Sequence, residues 1–349
     1  MGSNNKTIDA YLGQIRKKTL FLLLCFIILI VVAIASICIG TVQIDPYEVF
    51  LILLGQDSGP TSIIIWHIRL PRVIAAILAG MGLAVAGAVM QSILMNPLGS
   101  PYTLGISHSA GFGAAFAFVV LGVGTNPTLQ SIPYLVSICA FGFSLVAVAI
   151  IILLAKYRGA SPETMILSGV ALGSLFTAGL ASLKYFAEDL QLSAIVFWMF
   201  GDLSRVSWNE LSIMAIVVLP SIIFFLYNVW NYKALVSGDA TAKSLGVDVE
   251  RVRITSLFVA SLVTALIVSF TGIIGFIGLV VPHIIRKTIG GDDRFLMPAS
   301  CIVGSILLLV SDSVARTILS PVILPVGILT SFLGAPLFLY LVIVGRRYW

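Results

Sequence analysis

Long apolar segments recur along this chain, and they constrain its fold more than any other feature. The segment Thr19–Thr41 runs for 23 residues without a formal charge. A helix of about 20 such residues crosses the roughly 30 Å hydrocarbon core of a bilayer. Only 10% of all residues are charged, against about 25% in soluble domains, so a soluble surface cannot be built. The sequence therefore predicts an all-α, polytopic membrane protein.

Ten apolar segments are predicted, separated by short polar breaks. They are Thr19–Thr41, Val73–Leu94, Thr103–Gly122, Ile132–Ala155, Thr164–Leu183, Leu211–Trp230, Ile254–Phe270, Ile274–Ile285, Met297–Val314 and Val326–Val344. The eighth segment, Ile274–Ile285, is too short to cross a bilayer alone and is expected to pack among its neighbours. An even number of segments places both termini on the same side of the membrane.

The distribution of basic residues supports this count and orients it. With the N-terminus inside, 15 basic residues fall on the inner side: Lys6, Arg16, Lys17, Lys18, Lys156, Arg158, Lys233, Lys243, Arg251, Arg253, Arg286, Lys287, Arg294, Arg346 and Arg347. The outer side holds 5: Arg69, Arg72, Lys184, Arg205 and Arg316. The positive-inside rule then predicts an N-in, C-in chain, and residues 1–349 are interpreted as one transmembrane domain.

Motifs for catalysis and cofactor binding are missing from the sequence. Neither GxGxxG nor GxxxxGK[ST] occurs, so no nucleotide site is predicted, and HExxH and GxSxG are absent as well. The four cysteines, Cys25, Cys38, Cys139 and Cys301, lie singly in apolar stretches and predict neither a metal site nor a disulfide. We therefore predict no cofactor and no enzymatic activity. The net charge of +5 is explained by membrane orientation, and no nucleic-acid partner is predicted.

A basic motif, Arg69-Leu70-Pro71-Arg72, precedes the second segment. Pro71 suits a first helical turn, because its missing N–H would be unpaired there anyway, and arginines three apart project to a similar face. Arg316 lies at the outer end of the ninth segment. All three arginines are on the side that positive residues usually avoid. The residues alone give equal support to two interpretations: a specific role for these arginines, and headgroup anchoring by snorkelling.

The longest inner loop predicts a short polar helix. It comprises Gly238, Asp239, Ala240, Thr241, Ala242, Lys243, Ser244, Leu245 and Gly246. Asp239 and Thr241 lie at a plausible helix start, and Gly246 can adopt the left-handed conformation that ends a helix. Defined ends favour an element that docks a partner, with a simple connector as the alternative.

Glycines and a proline interrupt two apolar runs between Gly275 and His283. Such breaks are typical of the discontinuous helices that line transport pathways, and a re-entrant turn with a packing role is the alternative. Elsewhere, spaced glycines such as Gly80 and Gly87 predict close contact between helix backbones.

Together these segments resemble the permeases of iron-siderophore, haem and cobalamin importers, a branch of the ATP-binding-cassette superfamily. The matching text is RLPR and AAILAGMGLAVAGAVMQSILMNPLGSPYTLGIS between Arg69 and Ser107, LSGVALGSLF from Leu167, WMFGDLS from Trp198, GDATAKSLGV from Gly238, GFIGLVVPHIIRKTIGGDDRFLMPAS from Gly275, and LPVGILTSFLGAPLFLYL from Leu324. The matches follow in order over almost the whole chain, and no single motif carries the resemblance.

The resemblance implies the type II importer fold: a homodimer of ten-span subunits with two cytoplasmic ATPases and an extracytoplasmic substrate-binding protein. It assigns Arg69, Arg72 and Arg316 to acidic residues on the binding protein. It assigns the stretch 238–246 to the coupling helix that docks into the ATPase. The expected function is alternating-access import of an iron chelate or cobalamin-type compound across the cytoplasmic membrane.

Two other classes remain as alternatives. A secondary transporter usually holds carboxylates or histidines deep in the membrane, whereas here Asp312 is the carboxylate nearest to an interior position and His108 the only histidine well inside a segment. An intramembrane enzyme would need a polar cluster, and none is visible. Transport without an ATPase would indicate the first class, and turnover by the isolated chain the second.

Overall fold

The computed structural model describes residues 2–40, 42–56, 59–124, 132 and 134–344, and within them every regular element is helical. The helices are α1 (Gly2–Cys38), α2 (Pro46–Leu53), α3 (Pro60–Ile64), α4 (Leu70–Ile93), α5 (Ile106–Val119), α6 (Leu135–Tyr157), α7 (Pro162–Phe186), α8 (Asp189–Met199), α9 (Trp208–Tyr227), α10 (Val229–Val236), α11 (Asp239–Ser244), α12 (Val249–Thr271), α13 (Ile277–Ile289), α14 (Asp293–Thr317) and α15 (Val326–Val344). Thr41, Arg346 and Arg347, which the sequence predictions used, lie outside the described residues.

Each of the ten predicted apolar segments overlaps a helix, and Leu211–Trp230 also includes the first two residues of α10. In the described part of the chain, 7 helices are long and apolar enough to cross a membrane. The all-helical membrane fold is confirmed, while the ten-span count and the N-in, C-in orientation stay predictions. Four shorter helices were not predicted: α2, α3, α10 and α8, the last of which begins with a capping box formed by Glu188 and Gln191.

Polar residues at the breaks start several of the long helices. The side chain of Ser161 accepts the N–H of Thr164 at the start of α7, and that of Asp248 accepts the N–H of Arg251 at the start of α12. Such caps pair N–H groups that a helix cannot satisfy internally. The apolar runs therefore begin at defined residues.

Helix α4 begins within the RLPR motif, as the sequence predicted, but it continues a helical stretch that starts earlier in the chain. The chain is already helical from Pro60, and a π-helical turn at Ile65–Arg69 joins α3 to α4. A π turn shifts the hydrogen-bond pattern by one residue, and Pro71 follows it at the first turn of α4. The continuous helical stretch Pro60–Ile93 has 34 residues, so the arginines lie within a long helix.

Helix α4 is the centre of the molecule, packed against α9, α12, α13 and α14. The predicted glycine contacts are confirmed here. A Cβ on Gly80 would collide with the backbone of Gly304 in α14, and one on Gly87 with the backbone of Gly278 in α13. Without side chains at these positions the helix backbones touch, which is how helices gain packing energy in lipid.

The predicted break between α12 and α13 is also confirmed. Helix α12 ends at Thr271, residues 272–276 are not helical, and α13 begins at Ile277. Gly272 (φ 74°) and Phe276 (φ 68°) adopt left-handed conformations, which a glycine accepts without strain. The break turns the chain sharply and exposes its backbone to a cavity.

Candidate functional site

A cavity of about 680 Å³ lies beside the α12–α13 break, and this volume is within the range typical of small-molecule sites. Its hydroxyl-bearing residues are Ser100, Tyr102, Thr103, Ser107, Thr264 and Ser331. The remaining described lining residues are glycines, prolines and apolar side chains, and none of them carries a formal charge. The lining therefore combines apolar surface with groups that both donate and accept hydrogen bonds.

Several helices meet at this cavity. Leu83 of α4 and Thr264 of α12 contribute one wall, and the broken segment from Ile273 to Phe276 contributes backbone. Helix α15 closes another side through Gly327 to Pro336. The sequence singled out the Gly275–His283 break, and the structure brings that break to the cavity together with α15, which sequence reasoning left without a role.

His108, the one histidine expected well inside a segment, lies next to the cavity wall. Its ring is 4.8 Å from that of Tyr102, which lines the cavity. Its Nδ1 is buried without a hydrogen-bond partner in the described part of the chain. The ring is therefore a packing group behind Tyr102.

The three predicted docking arginines gather at one end of the molecule, and all three are buried, with exposed fractions of 5–6%. Arg69 donates hydrogen bonds to the carbonyls of Ile37 (2.5 Å) and Cys38 (2.9 Å) at the end of α1, and to that of Val42 beyond it. It thereby holds the end of α1 against the π turn.

Arg72 and Arg316 share one carboxylate, that of Asp312. The Nη2 of Arg72 lies 2.8 Å from Asp312, and the Nε of Arg316 lies 3.0 Å from it. Asp312 is fully buried. Arg316 also donates to the Ser36 hydroxyl of α1, at 2.8 Å, and Arg72 lies 3.7 Å from Asp202.

These contacts correct one part of the sequence interpretation. The sequence left headgroup anchoring open, which needs side chains that reach the membrane surface. Arg69 and Arg72 instead turn into the protein to α1 and α14, so their position does not support headgroup anchoring. The spacing of Asp312 and Arg316, four residues apart, signals an ion pair on one helix face, and sequence reasoning did not use it. The docking role of this end stays a prediction.

At the opposite end, the predicted short helix is present as α11, Asp239–Ser244. Gly246 has φ 82°, and the N–H of Val247 reaches back to the carbonyl of Ala242 at 3.0 Å, which is the left-handed helix ending expected from the sequence. Ala242 is buried, whereas Leu245 is 68% exposed. Helix α11 thus rests on Ala242 and presents its other face outward.

Asp239 does not cap this helix, because its side chain pairs with Arg253 of α12. The carboxylate accepts two hydrogen bonds, from Nη2 at 2.7 Å and from Nη1 at 3.1 Å. These bonds lower the pKa of Asp239, since they favour its charged form. Sequence reasoning missed Arg253, which it counted only as one of the inner basic residues. No local signal joins residues 14 positions apart across a turn.

Comparison with known proteins decides the family, because the model of the FecCD transport family matches residues 28–344. The chain belongs to the FecCD transport family. The matched residues include the cavity, the buried arginines and α11.

Relatives of the chain match it over nearly their whole lengths. It is 53% identical to a Methanocaldococcus jannaschii protein named as an ABC transporter permease protein, over 94% of this chain and 95% of the relative. It is 36% identical to an Fe(3+)-citrate import system permease protein of Bacillus subtilis, over 93% and 95%. It is 35% identical to a hemin transport system permease protein of Yersinia pestis, over 96% and 98%.

The fold is shared with a solved structure described as an inward-facing metal-chelate type ABC transporter. The two superpose with a TM-score of 0.79 at 29% sequence identity, over 93% of this chain and 98% of the other. The FecCD chain is therefore a permease subunit of an ABC importer, a multi-pass protein of the cytoplasmic membrane. ATP is hydrolysed by separate subunits, and FecCD permeases assemble as dimers with ATPase and substrate-binding partners.

Proposed function

We propose that this FecCD chain passes a preformed metal chelate or a cobalamin-type compound through the cavity beside the α12–α13 break. The uncharged, hydroxyl-lined cavity carries the proposal. Its hydroxyls can hydrogen-bond to the periphery of a bulky cargo. The described residues contain no group of three or more metal-ligating side chains, which favours a cargo whose metal is already coordinated over a bare ion.

The relatives' names agree with this cargo class. They describe permeases for iron-citrate, hemin and vitamin B12, each of which holds its metal in an organic ligand. Only the cargo's outer surface then meets the permease.

Each copy of the chain is proposed to be a single domain of ten spans (residues 1–349) with both termini inside. Two copies are proposed to face each other across the cavity. The exposed face of α15 supports this arrangement. Phe332 lines the cavity and is 74% exposed. A second subunit would cover such surface and complete the wall, since large exposed apolar patches mark interaction sites.

The two polar ends are proposed to receive the partners. The outer end, built on Arg69, Arg72 and Arg316, would face the acidic binding protein. The inner helix α11, within 238–246, would dock into the ATPase through its exposed face. ATP binding and hydrolysis would then move α11, and the cavity would open to each side in turn.

Reconstitution tests the proposed function directly. The permease, its ATPase and its binding protein are placed in proteoliposomes, and uptake of ferric citrate, haem and cobalamin is measured with and without ATP. We expect ATP-dependent and binding-protein-dependent uptake of one cargo class. Uptake by the permease alone, driven by an ion gradient, would show a secondary transporter instead.

A bulky side chain in the cavity tests the pathway. Ser331→Trp should reduce uptake at least tenfold, whereas Ser174→Trp should change it less than twofold. The two serines are matched, because each is exposed and donates to the carbonyl four residues earlier, but Ser174 does not line the cavity. Equal uptake by the two variants would contradict the proposed pathway.

A further inference from the structure

Arg253 occupies an unusual position at the inner end of the molecule. It is 1% exposed, although it lies only one turn into α12. Four donor–acceptor contacts hold its guanidinium. Nε donates to the carbonyl of Ile93 at 2.8 Å, Nη1 donates to the carbonyl of Ala160 at 3.0 Å and to Asp239, and Nη2 donates to Asp239.

These contacts join separate parts of the chain at one side chain. Ile93 is the last residue of α4, Ala160 lies in the turn between α6 and α7, and Asp239 is the first residue of α11. A cation beside the C-terminal carbonyls of α4 is also favoured by the helix dipole. The planar fork of arginine fixes directions as well as distances, and lysine cannot reproduce it.

Two of the joined helices reach the cavity. Leu83 is ten residues from Ile93 along α4, and Thr264 is 11 residues from Arg253 along α12. At 1.5 Å per residue, both lining residues lie about 15 Å from the guanidinium along their own helix axes. The helices are continuous over these distances, so a displacement at one end is carried to the other.

We infer that Arg253 is the joint that transmits movement of α11 to the cavity-lining helices α4 and α12. This inference rests on the proposed docking of α11 to the ATPase. When the ATPase displaces α11, the two hydrogen bonds between Asp239 and Arg253 move α12 with it, and the bond from Arg253 to Ile93 moves α4. Arg253 is a positioning residue in this scheme: it touches neither cargo nor nucleotide.

A nearby ion pair supplies the control. Asp292 and Arg294 also form several charge-assisted hydrogen bonds, the shortest being 2.6 Å. These residues are two positions apart at the start of α14, so their ion pair is local. Arg294 also lies 5.3 Å from the Trp230 ring of α10, but the Asp292–Arg294 bonds themselves hold neither α4 nor α11. A purely electrostatic or stabilising role would make the two pairs equivalent, whereas a joint makes only the Arg253 pair matter for coupling.

The experiment measures cargo transported per ATP hydrolysed by the full transporter in proteoliposomes. Arg253→Lys and Arg253→Gln should lower this ratio at least tenfold, while the ATPase co-purifies in the wild-type amount. Asp292→Asn should stay within twofold of the wild type. Should Arg253→Gln fail to fold, Arg253→Lys keeps a buried cation and Asp239→Asn keeps the arginine, and each should lower the ratio too.

A double variant separates a joint from a merely stabilising pair. Combining Asp239→Asn with Arg253→Gln should lower the ratio no further than Arg253→Gln alone, because the two act as a unit. An unchanged ratio in Arg253→Lys and Arg253→Gln, with uptake falling only as the amount of folded transporter falls, would overturn the inference.

Replacing residues 238–246 by a Gly/Ser linker shows which of the two proposals fails. Normal transport by the linker protein would remove the coupling role of α11 itself. The linker protein could instead lose coupling while the Arg253 variants keep a normal ratio of cargo transported per ATP. That result would support the coupling role of α11 and exclude Arg253 as the joint.

Discussion

The two ends of α4 both hold buried arginines, but their charge balance differs. At the end predicted to be outer, Arg72 and Arg316 share the completely buried Asp312, and Arg72 also lies 3.7 Å from Asp202. The third arginine there, Arg69, binds main-chain carbonyls. At the end predicted to be inner, Arg253 faces Asp239, whose side chain is 40% exposed. Arg286 donates to Gln91 of α4 near the buried Asp293, so arginines and carboxylates are equal in number there.

This difference separates a fixed end from a movable one. Asp312 belongs to a long helix, and its arginines bind the main chain at the end of α1, so the outer cluster fixes α1, α4 and α14 together with an excess of positive charge. Asp239 belongs to a six-residue helix at the surface. The outer end is suited to present a constant surface, and the inner end to be displaced.

The largest effect is expected from removing the outer carboxylate. Asp312→Asn removes the carboxylate shared by two buried guanidinium groups. Breaking a buried ion pair lowers the free energy of unfolding by about 3–5 kcal/mol, and thermal unfolding of the purified permease measures this loss. Asp202→Asn is the control: its carboxylate is 31% exposed and lies 3.7 Å from Arg72, so its loss should lower the free energy of unfolding by less than about 1 kcal/mol. Equal losses would show that Asp312 does not organise the outer end.

The next effect concerns the helix that links the two ends. Gly87→Ala would place a methyl group against the backbone of Gly278, and such overpacking costs about 1–3 kcal/mol. Gly142→Ala on α6 meets nothing within 4 Å and should gain about 0.5–1 kcal/mol, since alanine is the better helix former. The unfolding temperatures of the two variants should therefore shift in opposite directions. A higher unfolding temperature for Gly87→Ala would mean that α4 and α13 can move apart without loss of stability.

A smaller effect is expected on binding-protein docking. Arg205 is exposed at the outer end, and Arg205→Gln should weaken docking by up to about fivefold, the strength of one exposed ion pair. Raising the salt from 0.1 M to 1 M should weaken docking further, because the screening length falls from about 10 Å to about 3 Å. Affinity that is independent of salt would exclude charge-driven docking.

Reversing the charge of two buried arginines also tests binding-protein docking. Arg69→Glu with Arg72→Glu should abolish docking, but it also puts a new carboxylate beside Asp312. Its folding must therefore be measured alongside its affinity, and a folded double variant with wild-type affinity would assign docking to other residues.

The smallest effect is expected from pH at the inner pair. Arg253 lowers the pKa of Asp239 below its ordinary value of 3.8. A carboxylate of this kind stabilises the fold at every pH above its unfolded pKa and loses that contribution only as pH falls through the lower folded value. Transport per ATP should therefore show no step from this pair between pH 8 and pH 5. A step that Asp239→Asn removes would contradict the assignment.

The sequence predicted more of the fold than of the site. The apolar segments, the glycine contacts and the α12–α13 break are local patterns, and each was found where expected. Helix α8 was missed because its 11 residues are too few to cross a membrane, and the prediction looked for segments of that length. The burial of Arg69 and Arg72 was not predicted, because the position of a side chain on a helix does not reveal which neighbouring helix it faces.

Composition and periodicity by themselves determined that this chain is a helical membrane protein, since lipid requires every backbone group to be paired within a helix. Ordered motifs along the chain also identified its family. Only the tertiary structure decided that Asp312 binds two arginines, that Arg253 joins α11 to α4, and that α15 closes a cavity beside the broken helix. These contacts connect residues as far as 240 positions apart, and they depend on how the helices pack against one another.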